Sequence, residues 1–258
     1  MEAVYKVSGE HVETRPSAAG PWDATLQHGA APAALIAWAA EALESDVPMR
    51  VSRLTIDLLR PVPVAPLELH SEIIRQGKKI QVTAVRLRCN GAEVARASIL
   101  KVRLSSPALN ENMCNVELDV SAPEEARART GGRTIDSPFL RGVASCDAVR
   151  RYGPAQSSAT WFRVDQPIVE GHAVSPLMRA AVAADFCNGV SSKLSAKEWS
   201  FINADLTLTV ARPAIGDWIL LDAETWLGND GGGSAMARLG DAKGYFGRAV
   251  QSVLIERR

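Results

Sequence analysis

The chain repeats itself, and the repeat limits what it can fold into more than any other feature. "HGAAP" beginning at His28 returns as "HAVSP" beginning at His172, a shift of 144 residues. Further on, "LTIDLLRP" at 54–61 returns as "LTLTVARP" at 206–213, a shift of 152. That shift puts Leu54 on Leu206, Ile56 on Leu208, Leu58 on Val210, Arg60 on Arg212 and Pro61 on Pro213. It also carries Leu67 onto Ile219, Leu69 onto Leu221, Glu72 onto Glu224, Arg96 onto Arg248 and Ala97 onto Ala249. An eight-residue insertion after the second helix reconciles the two registers. Order of this kind means two copies of one supersecondary unit.

Each copy reads as a long helix followed by an antiparallel meander, an α+β arrangement. In the first, the Ala-rich stretch 28–46 is helical, and four alternating runs follow at 51–61, 67–76, 79–89 and 93–104. Asn90-Gly91 between the last two is a strong hairpin signal. In the second, 172–192 reads as one helix, followed by strands at 201–213, 217–228, 233–241 and 245–256. "AVYKVSGEHVE" and "SATWFRVD" open the two units as strands. The domains expected are 1–105, a linker at 106–157 rich in Pro, Gly, Ser and charge with a short helix at 124–129, and 158–258.

Composition removes several function classes. Lys plus Arg equals Asp plus Glu at 29 each, so no basic field exists to hold nucleic acid, and any partner is recognised locally. The cysteines, Cys89, Cys114, Cys146 and Cys187, form no C-x-x-C pair, which argues against a zinc site or a disulfide framework. No basic-then-apolar leader opens the chain and no run approaches a membrane span, so a soluble cytoplasmic protein with reduced thiols is expected. The glycine run 231–233 lies in a hairpin turn with no helix after it and is no phosphate loop, and no G-x-S-x-G elbow occurs.

The duplication lets the sequence act as its own comparison, because a polar residue that is apolar in the other copy is not demanded by the fold. Asp185 aligns with Glu41, so both helices carry an acid 13 residues after their His. Asn203, however, aligns with Val51, and Gln251 aligns with Ile99. Only the second copy has an acid, an amide on its first strand and an amide on its last. Gln251 interrupts an apolar strand, and a buried amide costs about 1–3 kcal/mol unless bonded. Alternation from Leu206, Leu208 and Val210 puts Asn203 on the face of Asp205, Thr207 and Thr209, which can equally be the wet face of the sheet.

A helix wrapped by an antiparallel sheet, duplicated, with "LRP" or "ARP" closing the first strand, resembles the double hotdog acyl-CoA thioesterases of the type II (TesB-like) family. The resemblance covers nearly the whole chain outside the linker and is carried by "HGAAPAALIAWAAEAL", "LTIDLLRPVP", "NADLTLTVARPAIGDWILLDAET" and "GRAVQSVLIE". It implies two tandem hotdog units, an acyl-CoA substrate, no cofactor and no metal. It also implies a water held by an Asp, a Thr or Ser, and a Gln. By position these fall on Asp185, Asn203 and Gln251, so Asn203 departs from the family's hydroxyl. A thioester carbonyl is electrophilic enough for an aligned water to attack without a covalent nucleophile. The developing oxyanion needs fixed donors, and a helix N-terminus at His28 and Gly29 can supply them. The simpler reading of His28 and His172 is that they start their helices. The alternative function is an acyl-thioester-binding hotdog protein without efficient turnover. An Asp followed five residues later by His, as hotdog hydratases require, is missing, since Val190 stands there. Oligomeric state stays open: hotdog sheets commonly pair, which would make a homo-oligomer, but the internal duplication can equally satisfy that pairing within one chain.

Overall fold

The computed structural model describes residues 1–106, 109, 116–128, 136–149, 158–192, 194, 195 and 197–258. The first half begins with a hairpin, β1 (Tyr5–Ser8) and β2 (His11–Thr14), and continues into α1 (Ala30–Ala42). Ten of α1's 13 residues are buried, which is how a helix apolar all round must sit. The strands β3 (Met49–Leu58), β4 (Leu67–Gln76), β5 (Ile80–Cys89) and β6 (Ala92–Arg103) wrap it. Asn90 and Gly91, with φ of 49° and 76°, make the predicted tight turn between β5 and β6. Two buried polar side chains serve the end of α1. Lys101 donates to the Leu43 carbonyl, and Gln81 Nε2 donates to the Glu44 carbonyl at 2.7 Å, so carbonyls that a helix end leaves open are met.

The second half contains β7 (Arg127–Ala128), α2 (Pro138–Arg141), β8 (Val143–Asp147) and β9 (Ser158–Val164). It continues with α3 (Pro176–Asp185), α4 (Cys187–Ser191), β10 (Trp199–Asn203), β11 (Asp205–Val210), β12 (Trp218–Leu227), β13 (Gly232–Asp241) and β14 (Gly244–Arg257). Three details differ from the sequence expectation. The helix expected at 172–192 is two, broken at Phe186, whose ψ of 6° leaves the helical range. The span expected as linker is partly built into the second sheet: β8 pairs with β9, and Phe139 of α2 is fully buried. Its short alternating stretch around Ser145 carries too little apolar pattern to announce a strand. The short helix expected at 124–129 is a single 3-10 turn, Pro123–Glu125, followed by β7, and Arg129 lies outside the described residues together with Cys114.

All 14 strands belong to one sheet, in the order β1-β2-β4-β5-β6-β3-β11-β14-β13-β12-β9-β8-β7, with β10 pairing with β14 off this path. The halves join where β3 pairs antiparallel with β11, matching Leu54 with Leu208, Thr55 with Thr207 and Ile56 with Leu206. Thr55 and Thr207 are also related by the 152-residue shift, so a pseudo-two-fold axis passes between them, where their hydroxyls stand 3.4 Å apart. Inside the sheet α1 packs on α3, and the same symmetry makes them antiparallel: each helix's C-terminal acid lies at the other's N-terminus. Both helices bury runs of Ala, which lets their backbones approach closely and forms one continuous core.

Candidate active site

Asp185 is the last residue of α3 and is 5% exposed. The break after it turns its main-chain carbonyl toward the sheet, where two amides meet it. Gln251 Nε2, fully buried on β14, donates at 3.1 Å, and Asn203 Nδ2 donates at 3.2 Å. The same Asn203 nitrogen stands 3.4 Å from the carboxylate Oδ1. The sequence-derived trio is thus brought together, with the amide protons directed mainly at the peptide oxygen of Asp185. Each amide satisfies a polar group that helix rupture would otherwise bury unpaired.

Asn203 reaches Asp185 because the strand alternation fails between β10 and β11. Along β14, Val253 faces Asn203 but Val250 faces Thr207, so the five residues 203–207 oppose the four residues 250–253. This one-residue bulge at Ala204 reverses the parity. Asn203 therefore points at the helix, while Asp205 turns away and accepts from Ser252 N. Its assignment to the face of Asp205, Thr207 and Thr209 is corrected on that ground.

The carboxylate itself faces the first half. A Cβ placed on Gly29 would lie 2.7 Å from Asp185 Oδ1, and Gly29 is the N-cap of α1, with no side-chain cap of its own. Its φ of −54° is ordinary helix, so glycine is needed here for close approach and not for conformation. An acid at this helix end is favoured by the dipole and the open N–H groups. His28 Nδ1 stands 3.2 Å from Asp185 Oδ2 and 3.1 Å from Ala30 N. One nitrogen cannot donate to the carboxylate and accept from Ala30 at once; the carboxylate favours the tautomer with the proton on Nδ1, leaving the Nε2 lone pair free. The imidazole is stacked on Phe139 and tilted on Phe186, at 5.3 and 5.0 Å between centroids, and Phe186 stacks on Phe162.

Further polar groups extend the site along α4. Asn188 N lies 3.5 Å from Gln251 Oε1, Thr225 Oγ1 lies 3.5 Å from Asn188 Oδ1, and Ser191 and Thr225 hydroxyls share a 2.6 Å bond. Asn188 is three residues beyond Asp185, but the break at Phe186 lies between them, so helical spacing did not announce it. Phe139 was not announced, although Ser137 before Pro138 and Gly142 after Arg141 mark a one-turn helix. Cys187 next to Asp185 has its thiol pushed up strongly by burial and by the Asp185 charge, so it does not offer a thiolate nucleophile. Among the described residues no cluster of His, Cys, Asp and Glu is placed to hold a metal, and no helix is long and apolar enough to cross a membrane.

Across the pseudo-two-fold axis the equivalent place is differently built. Glu41 is exposed and accepts from Ser175 Oγ at 2.5 Å, the hydroxyl that also caps α3. That bond gives Glu41 a partner at the start of the other helix. His172 meets Trp38 edge-on at 5.2 Å, and no amide stands at Val51 or Ile99.

Two antiparallel helix-and-sheet units sharing one sheet, with a carboxylate from one unit set on the helix end of the other, define a double hotdog protein. Residues 18–102 match the acyl-CoA thioesterase N-terminal domain and residues 118–255 match the acyl-CoA thioesterase C-terminal domain; the chain belongs to this family. Solved structures share its fold. A provisionally assigned thioesterase II from Thermobifida fusca superposes with a TM-score of 0.75 at 16% identity, covering 98% of this chain and 94% of that one. A hot dog fold protein of unknown function from Alicyclobacillus acidocaldarius gives 0.74 at 17%, covering 98% and 95%. The acyl-CoA thioesterase II TesB2 of Mycobacterium marinum gives 0.66 at 14%, covering 88% of each chain. Comparison with curated protein sequences finds no match.

Proposed function

We propose that the protein hydrolyses an acyl-CoA to a carboxylic acid and CoA through water activated by Asp185, with Asn203 and Gln251 holding the acid's peptide and Asn203 also within reach of its carboxylate. The observation that carries this is the placement of a buried carboxylate against the N-terminus of α1, within 3.2 Å of His28 and 3.4 Å of Asn203. Asp185 takes a proton from water as its oxygen adds to the thioester carbon. The oxyanion forms near the N-terminal end of α1, at Gly29. Collapse breaks the C–S bond, and the thiolate leaves as CoA, taking up a proton. His28 and Gly29 are the substrate-contacting residues in this scheme.

The specific observation favouring binding without turnover is that Asn203, which falls where the resemblance implies a hydroxyl, directs its amide, like Gln251, at a main-chain carbonyl. Release of CoA from a panel of acyl-CoAs separates the readings. Hydrolysis on at least one chain length is expected; binding with no turnover at any length sinks the hydrolase reading.

A further inference from the structure

The reacting centre has two extensions leading away from it to the same corner of the molecule. One is the loop before α1. It is closed by Gly20 N bonding to the Leu26 carbonyl at 2.8 Å and by the bridge of Ala19 with Gln27, which leaves Trp22 near its tip, 48% exposed. The other is β14, which runs from Gln251 at the centre, past Val253 opposite Asn203, to Arg257 opposite Trp199. Seven residues of strand separate Gln251 from Arg258, a run of ~23 Å. There the two extensions meet, with the Arg258 guanidinium 4.8 Å from the Trp22 ring centroid.

We infer that Trp22 and Arg258 form the subsite for the nucleotide end of coenzyme A, the base stacking on the indole and a phosphate taken by the guanidinium. This deepens the acyl-CoA reading and rests on it. The separation suits a ligand whose thioester lies at Asp185 and whose pantetheine arm follows β14. An exposed indole is a stacking platform for any base, and a guanidinium offers two parallel donors to a phosphate. Among the described residues neither Arg257 nor Arg258 has a carboxylate partner, whereas Arg15, Arg86, Arg163 and Arg212 are each paired. Arg258 is anchored through its backbone, its N–H donating to the Glu198 carbonyl at 2.9 Å, so its side chain is free to turn to a ligand. The acid next to Trp22 is turned into its own loop, with Asp23 Oδ1 accepting from Thr25 N at 2.8 Å and from Thr25 Oγ1 at 2.7 Å. Glu198 and Glu256 stand at the same corner, so recognition rests on directed donors and the stack and not on a basic field.

Binding tests this without relying on turnover. CoA, 3′-dephospho-CoA and pantetheine are titrated into the wild type, Trp22→Ala and Arg258→Gln by calorimetry, with thermal melts to establish that the exposed substitutions leave folding intact. Each substitution is expected to weaken CoA about tenfold while leaving pantetheine unchanged. Trp22→Phe is expected to restore most of the loss. Equal loss for CoA and pantetheine, no loss for either, or no binding of CoA by the wild type overturns the inference. If CoA binds with this pattern but no acyl-CoA is hydrolysed, the subsite stands and the hydrolase reading falls.

Discussion

Gly29→Ala tests the site most directly, because it adds one methyl group where the two halves meet. The new Cβ would lie 2.7 Å from Asp185 Oδ1 and 3.2 Å from both Cγ and Oδ2, so the whole carboxylate is in its way. Ordinary contact begins at 3.4 Å, which asks Oδ1 to retreat about 0.7 Å. Retreat stretches contacts already at 3.4 Å to Asn203 and 3.2 Å to His28, and Asp185 is too buried to swing elsewhere. Displacing a reacting group by about 1 Å costs about a hundredfold in rate, or about 2.7 kcal/mol of transition-state stabilisation. The backbone does not object, since the φ and ψ of Gly29 suit alanine, whose smaller unfolded-state entropy gains about 0.4–1 kcal/mol against about 1–3 kcal/mol of overpacking. A drop of about a hundredfold in kcat/KM for acyl-CoA is therefore expected with a melting temperature within several degrees of wild type. Adding Asp185→Ala removes the obstruction, so Gly29→Ala becomes neutral or stabilising in that background. A folded Gly29→Ala protein with wild-type kcat/KM would refute the reasoning.

Other changes have outcomes set by the same geometry. On the proposed scheme Asp185→Asn removes the acceptor for the water's proton and is expected to cut kcat by about 10²–10⁴, while Glu41→Gln leaves it nearly intact; equal losses in a steady-state assay would mean two working sites. Gly142→Ala puts a Cβ 2.1 Å from Gln166 Cδ, expelling the amide that donates to the Phe139 carbonyl at 3.1 Å, and calorimetry should show a loss of about 2–4 kcal/mol. Burial alone would raise Asp119, but the Tyr245 hydroxyl and Arg238 outweigh it and hold the carboxyl below its ordinary value of 3.8. A depressed carboxylate stabilises the fold above its unfolded pKa and ceases to as pH falls through the folded one. The difference in melting temperature between wild type and Asp119→Asn should therefore shrink below pH 3.8; a constant difference down to pH 2 excludes this linkage.

Much of the fold was legible because the duplication reports long-range order through local pattern. Shifts of 144 and 152 found both helices and eight strands, and the 152 relation of Thr55 to Thr207 is the axis itself. What could not be read depends on single departures from periodicity. The break at Phe186 lies in a run whose composition favours helix on both sides, and the bulge at Ala204 leaves no mark in the apolar alternation. The trio Asp185, Asn203 and Gln251 was legible as a difference between copies. That the amides would seize the Asp185 peptide oxygen was not, because it follows from the helix breaking at that residue. Phe139 escaped for another reason: a four-residue helix has too little period to reveal which face is buried.

The placement of each acid on the other half's helix end has a consequence for inheritance. A single unit of this kind would need a second copy of itself to assemble any such site, and every substitution would then appear twice. Once the two copies are fused, a change in one gene segment alters one site only. Ser175 can close on Glu41, and Val51 and Ile99 can stand where amides stand in the other copy, without disturbing Asp185. Yet the first half still sets Gly29 and His28 against that carboxylate. On the proposed chemistry, one half is therefore constrained by the carboxylate it carries and the other by the helix end that receives it.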